Sequence, residues 1–256
     1  MNLEIFKQRI FVLQQLTKRE LKRKYARSYL GVLWSIGYPL LRMFLVVMLF
    51  STLLSRNIAK YPAYYFVGFL MLEFFKTGSE NSLTALVDNK MMFQKTKIVP
   101  RIFVLSRVLT SFVNLLLGTI PFIGVLIFYG CKPTLYLLYI PIDIFFLALF
   151  VTGMSYAVSI WYLYMRDAKF IYSNALHILR FFTALYYSID RMPHNIATFI
   201  RYNPPYTFIA IGRNCIVYGK APDEGYLLQM VVYGIGFYIF GKVIFELFKH
   251  KIAEKM

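Results

Sequence analysis

Six long apolar runs dominate the pattern of hydrophobic and polar positions along this chain. Each run is long enough to cross a bilayer core of about 30 Å at about 1.5 Å per helical residue. The pattern therefore predicts an all-α membrane protein with six transmembrane helices, whose approximate bounds are 31–54, 62–84, 104–129, 134–163, 170–189 and 226–247.

The segment before the first run has the pattern of an amphipathic helix. Through residues 3–27, apolar side chains recur at helical spacing on one side, and basic side chains other than Lys24 spread over the opposite side. Such a helix lies in the membrane interface with its basic face toward the headgroups. A solvated charged helix is the alternative. We therefore expect an N-terminal amphipathic interface helix, 1–30, and a six-span transmembrane region, 31–256, within a single domain.

The composition indicates that lipid is the solvent for much of the chain. Of its 256 residues, 59% are hydrophobic and only 16% are charged, which is more apolar surface than a soluble domain of this size can bury. The net charge of +17 would suggest nucleic acid for a soluble protein. Here the basic residues cluster beside apolar runs, which favours an anionic membrane leaflet and disfavours nucleic acid.

The distribution of lysine and arginine predicts the orientation of the spans. Over the termini and alternate connections, 17 of these residues fall on one side of the membrane and 7 on the other. Cytoplasmic segments carry the excess of positive charge. We therefore expect both termini in the cytoplasm.

The cytoplasmic connection between spans two and three, Val87–Phe103, is too elaborate for a simple loop. Asn89 can cap a short helix, and Pro100 stops it before Arg101. A short amphipathic helix at a loop tip is a docking element for a soluble partner, although a loop resting on headgroups is equally compatible with the composition. The surface of this coupling helix would include Lys90, Met91, Met92 and Phe93.

The sequence of the outer connection between spans five and six, Asp190–Gly225, also predicts helical structure. Its apolar run Tyr206–Tyr218 has about 13 residues, too few to cross the bilayer and too apolar to stay in water. We expect a pair of short re-entrant or interfacial helices here, broken at Pro204–Pro205 and at Gly212.

Ionisable residues inside the spans need partners, because unpaired charge in hydrocarbon is costly. Glu73, Lys76 and Glu80 share one face of span two, either as an internally paired stripe or as the lining of a polar path. The other ionisable residues inside the spans either have a transport role or are held by structural salt bridges or snorkelling. They are His177 and Arg180 on span five and the isolated Arg42, Arg107 and Asp143.

Two patterns are weak indications of enzyme chemistry. Gly153–Ser155 with His177 has the residue types of an intramembrane serine protease, but small residues in membrane helices usually serve helix packing. Gly236–Lys242 lacks the hydroxyl residue of a phosphate-binding loop, since Val243 follows the lysine. We therefore expect no catalytic site and no bound cofactor in this chain.

The few cysteine and histidine residues have no metal-ligand spacing, so no metal site is predicted. Both cysteines, Cys131 and Cys215, fall on the outer side. A disulfide between them is conceivable there, although the sequence carries no spacing signature for it.

The stretch LTKRELKRKYARSYLGVLWSIGYPLL, residues 16–41, resembles the opening of polysaccharide-export permeases of the ABC type-two transporter family. In that family a basic amphipathic helix precedes a junction like Tyr25–Trp34, followed by a proline, here Pro39. The similarity extends over essentially the whole chain, and relatives usually carry a proline near the outer end of span five that Phe182–Asp190 lacks. Further points agree in order: Asn89 with Pro100-Arg101, Arg166-Asp167, and Asn203-Pro204 with Arg213 and Gly219.

The resemblance implies a half-transporter in the bacterial cytoplasmic (inner) membrane. Two copies would form the path, and two ABC subunits beneath them would bind ATP and Mg and drive export of a lipid-linked polysaccharide such as O-antigen, a step of lipopolysaccharide biosynthesis. The segment Asn89–Phe103 or the interface helix would receive the movement that ATP hydrolysis causes in the ATPase. A capsule or teichoic acid exporter, a permease for a smaller substrate, and the Ser155/His177 protease are the alternatives.

Site residues follow from this expected function. Arg19, Arg23 and Arg27 recur every four residues and are candidates for a pyrophosphate headgroup. Aromatic rings suit sugar faces, but tyrosine and tryptophan also gather at membrane interfaces. The candidates for lining the path are Tyr29, Trp34, Tyr38, Glu73, Lys76, Glu80, His177, Arg180 and Tyr206.

Overall fold

The computed structural model describes residues 3–26, 31–54, 58, 60–95 and 98–255, and this part of the chain is helical, with no β-strand. Short 3₁₀ turns occur at Gly31–Leu33, Leu135–Leu138, Arg180–Thr183 and Ile189–Arg191. The helices are α1 Leu3–Tyr25, α2 Trp34–Leu54, α3 Tyr61–Leu83, α4 Ala85–Asp88, α5 Lys90–Lys95, α6 Arg101–Phe128, α7 Tyr139–Tyr164, α8 Ala168–Leu179, α9 His194–Arg201, α10 Pro204–Ile216 and α11 Glu224–Lys255.

Three helical stretches of the described chain are long and apolar enough to cross a membrane. They are Arg101–Phe128, Leu135–Tyr164 and Glu224–Lys249, and they coincide with the third, fourth and sixth predicted runs. The first run yields a shorter apolar helix, Trp34–Phe50. The second run forms α3, whose Glu73, Lys76 and Glu80 reduce its apolar character. Over the described residues the structure is thus all-helical, and three of the six predicted spans have the length and apolar character of membrane helices.

Helix α3 is the centre of the bundle. It packs against α6, α7, α10 and α2, so that side chains around most of its circumference are buried. Its aromatic residues form much of this core, with Tyr65 and Phe66 fully buried. Phe66 meets Phe122 of α6 edge to face with centroids 5.2 Å apart, an arrangement that the ring quadrupole favours.

Helices α7 and α11 make the closest backbone approach through glycine. A Cβ atom on Gly153 would lie 2.1 Å from the carbonyl oxygen of Phe237, and one on Gly241 would lie 1.9 Å from the carbonyl oxygen of Gly153. Small residues allow membrane helices to approach in this way, because packing rather than the hydrophobic effect drives their association.

The fifth predicted run, 170–189, does not form one helix. Helix α8 ends at Leu179, and the 3₁₀ turn that follows ends at Thr183. Ala184 has left-handed backbone torsions (φ 45°, ψ 37°) and is fully buried. A residue in this conformation ends a helix, so the predicted bound at 189 is wrong by several residues.

The connection between the fifth and sixth predicted runs contains two short helices, as the sequence predicts, α9 and α10. The break lies at Tyr202 and Asn203, and two prolines then begin α10, where the missing N–H donors cost nothing. The predicted break at Gly212 is wrong, because this glycine lies inside α10. A Cβ atom there would lie 2.6 Å from the Met71 side chain, so Gly212 serves the contact between α10 and α3.

The connection after α3 contains two short helices, α4 and α5, rather than one. Asn89 separates them, but its side chain does not cap α5. Its Nδ2 donates to the Ala85 carbonyl at 2.7 Å, back toward α4. Pro100 is the N-cap residue of α6 and ends this connection.

Helix α1 lies against α6, with Leu16 buried between Ile102 and Phe103 in a small apolar cluster. Its basic residues Lys22, Arg23 and Lys24 are exposed. The helix is therefore attached to the bundle through Val12, Leu13 and Leu16, while Phe6 and Ile10 nearer its start remain exposed.

Candidate functional site

A cleft of about 390 Å³ lies between the end of α1, the start of α2, α3 and α6. Its wall is mainly apolar and aromatic, with Trp34 and Tyr38 from α2 and Phe69 from α3. Glu73 of α3 and Asn114 of α6 add polar groups to the wall. A concave site with aromatic rings and a few polar groups is typical of ligand binding.

Tyr25 at the end of α1 fixes the entrance of this cleft. Its hydroxyl donates a hydrogen bond of 2.8 Å to Oδ1 of Asn114 and shares another with the Ser35 hydroxyl. One side chain thereby ties α1 to both α2 and α6. Ser111, also in the wall, is buried and its hydroxyl lacks a partner among the described residues.

Next to the cleft, charged groups of α1, α4 and α6 and the amide side chain between α4 and α5 form what we call the ion cluster, consisting of Arg19, Glu20, Asp88, Asn89 and Arg107. Arg107 of α6 donates to Oε2 of Glu20 at 2.5 Å and to Oδ2 of Asp88 at 2.9 Å. Glu20 is almost fully buried and also pairs with Arg19 at 2.9 Å. Charges that leave water need partners of this kind, so the cluster stabilises the contact of α1 with α4 and α6.

The residues predicted for ATPase coupling lie in different surroundings. Asn89 is buried and accepts a hydrogen bond of 2.6 Å from Nη2 of Arg19. Met91 is 63% exposed, whereas Met92 packs against the apolar cluster under α1. Arg101 forms an ion pair with Glu246 of α11. Of the remaining candidates, Lys90 is exposed, Pro100 is half-buried, and the Phe93 side chain lies outside the described residues.

The three candidates for a headgroup site separate into different environments. Arg19 is engaged by Glu20 and Asn89, whereas Arg23 is exposed. Arg27 lies outside the described residues. Among the described side chains, the guanidinium of Arg23 forms no ion pair, whereas that of Arg19 does.

Trp34, Tyr38 and Glu73 are brought together in the cleft, but the other candidates for the path are not. No ion pair joins Glu73, Lys76 and Glu80, all of which the structure describes, so the internally paired stripe does not form. Glu80 accepts a hydrogen bond from Ser173 of α8. His177 is exposed and Arg180 half-buried at the end of α8, Tyr206 lines a second cavity beside α10, and Tyr29 lies outside the described residues.

The protease pair does not assemble. Ser155 is fully buried and donates to the Gly78 carbonyl at 3.3 Å. His177 Nδ1 pairs with the Ser173 carbonyl at 2.6 Å, and no hydrogen bond joins the two described side chains. Both glycine patterns serve helix packing instead, through the contact of Gly153 with Gly241.

Cys131 and Cys215 are both free thiols, so the disulfide that the sequence allowed does not form. No group of three or more metal-ligating side chains occurs within the described ranges.

Sequence reasoning missed the acidic half of the ion cluster. Arg107 is isolated in the linear sequence, because its partners Glu20 and Asp88 are 87 and 19 residues away. One signal was present in the sequence, since Glu20 is the single acid within the basic stretch 16–27. A buried acid among so many bases indicates a contact with another element of the protein.

Comparisons with known proteins agree with this architecture. Residues 12–217 match the family model described as ABC-2 type transporter. Over 241 residues the chain is 29% identical to the O-antigen export system permease protein RfbA of Klebsiella pneumoniae, covering 93% of this chain and 92% of that protein. It is 26% identical over 248 residues to the protein of the same name from Myxococcus xanthus, covering 96% and 95%. The cleft and the ion cluster thus belong to a membrane protein of the ABC-2 type transporter family.

Proposed function

We propose that this chain is the permease subunit of an exporter for lipid-linked, O-antigen-like polysaccharide in the bacterial cytoplasmic membrane. Two copies form the path, and two separate ABC subunits bind ATP and Mg and supply the energy. The names of the relatives, O-antigen export system permease, support the class of substrate. A capsule or teichoic acid exporter is the nearest alternative within the family.

One observation carries the proposal: α1 contacts both the cleft and the connection after α3. Near its end, Lys24 and Tyr25 belong to the cleft wall. One to two turns earlier, Arg19 bonds to Asn89 between α4 and α5. A displacement of the α4–α5 connection by an ATPase would therefore reach the cleft through a single helix. This arrangement suits a transporter in which the energy source and the substrate site lie in different subunits.

The proposed topology has six spans with both termini in the cytoplasm. In addition to α6, α7 and α11, it assigns as spans α2, α3 and, for the fifth, the segment formed by α8 together with the 3₁₀ turn Arg180–Thr183 that continues it. Helix α3 has 23 residues, about 35 Å of helix, which is enough to cross the hydrocarbon core. It tolerates Glu73, Lys76 and Glu80 because the surrounding helices, rather than lipid, cover most of its surface.

Export can be tested in cells that lack the chromosomal gene. We expect lipid-linked glycan to accumulate on the cytoplasmic side and surface glycan to disappear, with both restored by the wild-type gene. Tyr38→Ala in the cleft should reduce surface glycan at least tenfold. Phe240→Ala, which removes an exposed ring on α11, is the matched control and should restore export fully. Normal surface glycan in the deletion strain would contradict the proposal.

The assembly can be tested by native mass spectrometry after co-expression with the ABC ATPase subunit of the same cells whose deletion also abolishes export. We expect two copies of each chain. A complex with one permease copy would exclude the homodimer, because one copy of this bundle forms only half of the proposed path.

A further inference from the structure

A second cavity of about 600 Å³ lies at the other end of α3 from the ion cluster. It is enclosed by the start of α3, the segment after α8, helices α9 and α10, and the start of α11. Its volume lies within the roughly 300–1,000 Å³ of small-ligand sites. Five tyrosines line it: Tyr64, Tyr202, Tyr206, Tyr218 and Tyr226.

Arg213 of α10 lines this cavity and is only 3% exposed. Its guanidinium lies over the Tyr64 ring, 3.5 Å from the centroid. Nε donates to the Tyr64 carbonyl at 3.3 Å, and Nη2 donates to the Leu185 carbonyl at 3.2 Å. Nη1 is buried and has no hydrogen-bond partner, and no described carboxylate pairs with this arginine.

An unpartnered donor on a buried cation indicates an acceptor that arrives with a ligand. Leaving such a group unsatisfied is costly, and native structures rarely do so without a reason. The two bonds to carbonyl groups and the Tyr64 ring fix the plane of the guanidinium. The remaining N–H groups are therefore preorganised for an oxygen atom in the cavity.

The remaining polar groups of the cavity are of both signs. Asp190 and Asp223 supply carboxylates, and Arg201 supplies a second guanidinium. Gln229 accepts a hydrogen bond of 2.9 Å from Thr207 through Oε1, which leaves its amide N–H groups as donors. A site for a simple anion would not place two carboxylates beside its arginines, because like charges repel.

The aromatic rings complete the pattern. Tyr206 is buried and meets Tyr226 at a centroid distance of 6.0 Å, with their planes 76° apart. Tyr202 and Tyr218 are exposed at the rim. Partial desolvation raises the pKa of the Tyr218 phenol above its usual value, and a phenol is protonated at neutral pH in any case, so this hydroxyl can donate a hydrogen bond. Flat rings offer apolar faces to sugar rings, while carboxylates, amides and guanidinium groups suit vicinal hydroxyls.

We infer that this cavity binds a short saccharide segment, held by Arg213 and the five tyrosines. The inference deepens the proposed function and rests on it, because the exported glycan is the saccharide that an exporter meets in the proposed outer connection. The cavity would then hold the emerging polymer at the end of the bundle away from the ATPase.

Binding to purified wild-type protein in lipid nanodiscs tests this assignment by calorimetry. The probe is the repeat-unit oligosaccharide prepared from the surface glycan of the same cells. Asp223→Asn and Tyr218→Ala at the rim should each weaken binding at least tenfold. Their matched controls are Glu224→Gln, the adjacent exposed acid, and Tyr129→Ala, an exposed tyrosine. Neither residue lines the cavity, and both variants should bind as the wild type does.

Arg213→Lys tests whether the buried guanidinium contributes to saccharide binding. If this substitution prevents folding, the binding of the two rim variants, Asp223→Asn and Tyr218→Ala, tests the inference instead. Maltohexaose as a second probe distinguishes a site for the exported glycan from a site for free saccharides in general. No binding to the wild type, or rim variants within twofold of it, would overturn the inference even if export is normal. The inference would also be overturned if inorganic phosphate bound to the wild type and the same variants weakened that binding equally, because the cavity would then be an anion site.

Discussion

Arg19 and Asn89 are joined by a hydrogen bond of 2.6 Å, from Nη2 of the arginine to Oδ1 of the asparagine, across 70 residues of chain. The arginine comes from α1, and the asparagine lies between the two short helices after α3. The Asn89 amide group also donates to Ala85, so its orientation is fixed from both sides. Two segments that the sequence predicted separately, for membrane contact and for ATPase coupling, thus form one structural unit.

The ion cluster should carry a measurable part of the stability. Arg107→Ala removes the partner of the buried Glu20 and of Asp88. We expect a loss of about 3 kcal/mol, because a buried charge then lacks its counter-ion. Lys249→Ala breaks the exposed pair with Glu246 and should cost less than about 1 kcal/mol. Thermal unfolding of the detergent-solubilised protein measures both, and equal shifts would contradict a stabilising role of the cluster.

Met91 is expected to lie in the contact with the ATPase. It is exposed on α5, so Met91→Asp should leave the fold intact while a charge enters an apolar interface. We expect loss of ATPase co-purification together with an unchanged elution volume of the permease. Lys132→Glu changes the charge of an exposed residue in the connection between α6 and α7 and serves as the control. Co-purification of the Met91 variant at the wild-type level would refute the contact.

The glycine contact between α7 and α11 predicts that two glycines of α11 differ in their tolerance of alanine. Gly241→Ala places a Cβ atom 1.9 Å from the Gly153 carbonyl oxygen, whereas a Cβ atom at Gly236 meets nothing within 4 Å. We therefore expect Gly241→Ala to lower the yield of folded protein severely. Gly236→Ala should be neutral, or stabilising by up to about 1 kcal/mol through helix propensity. Fluorescence-detected size exclusion measures both, and similar profiles would show that the helices can separate at little cost.

Substitution of the two protease-like residues should leave export unchanged. Ser155 and His177 bond to different carbonyl groups, so neither has the partner that nucleophilic catalysis needs. Ser155→Ala and His177→Ala should each retain surface glycan within twofold of the wild type. Loss of a proteolytic activity with export intact, in either variant, would instead favour the protease.

Features set by local sequence were predictable. The apolar length of α6, α7 and α11 and the apolar periodicity of α1 each act within one helix, so a linear pattern contains the information. The same is true of the start of α10, where Pro204 and Pro205 restrict the backbone of their own segment. The end of α8 was missed because Ala184 carries no intrinsic preference for left-handed torsions, and only its surroundings impose them.

The sequence by itself thus determined the class of protein, its three longest apolar helices and the N-terminal amphipathic helix, because hydrophobicity and helical period are local properties. Only the tertiary structure decided which polar groups meet. Arg107 seemed isolated until the fold brought Glu20 and Asp88 beside it, and the unpartnered Nη1 of Arg213 becomes visible only inside its cavity. The physical reason is that pairing of charges in a low dielectric depends on which helices are neighbours, and no window of sequence contains that information.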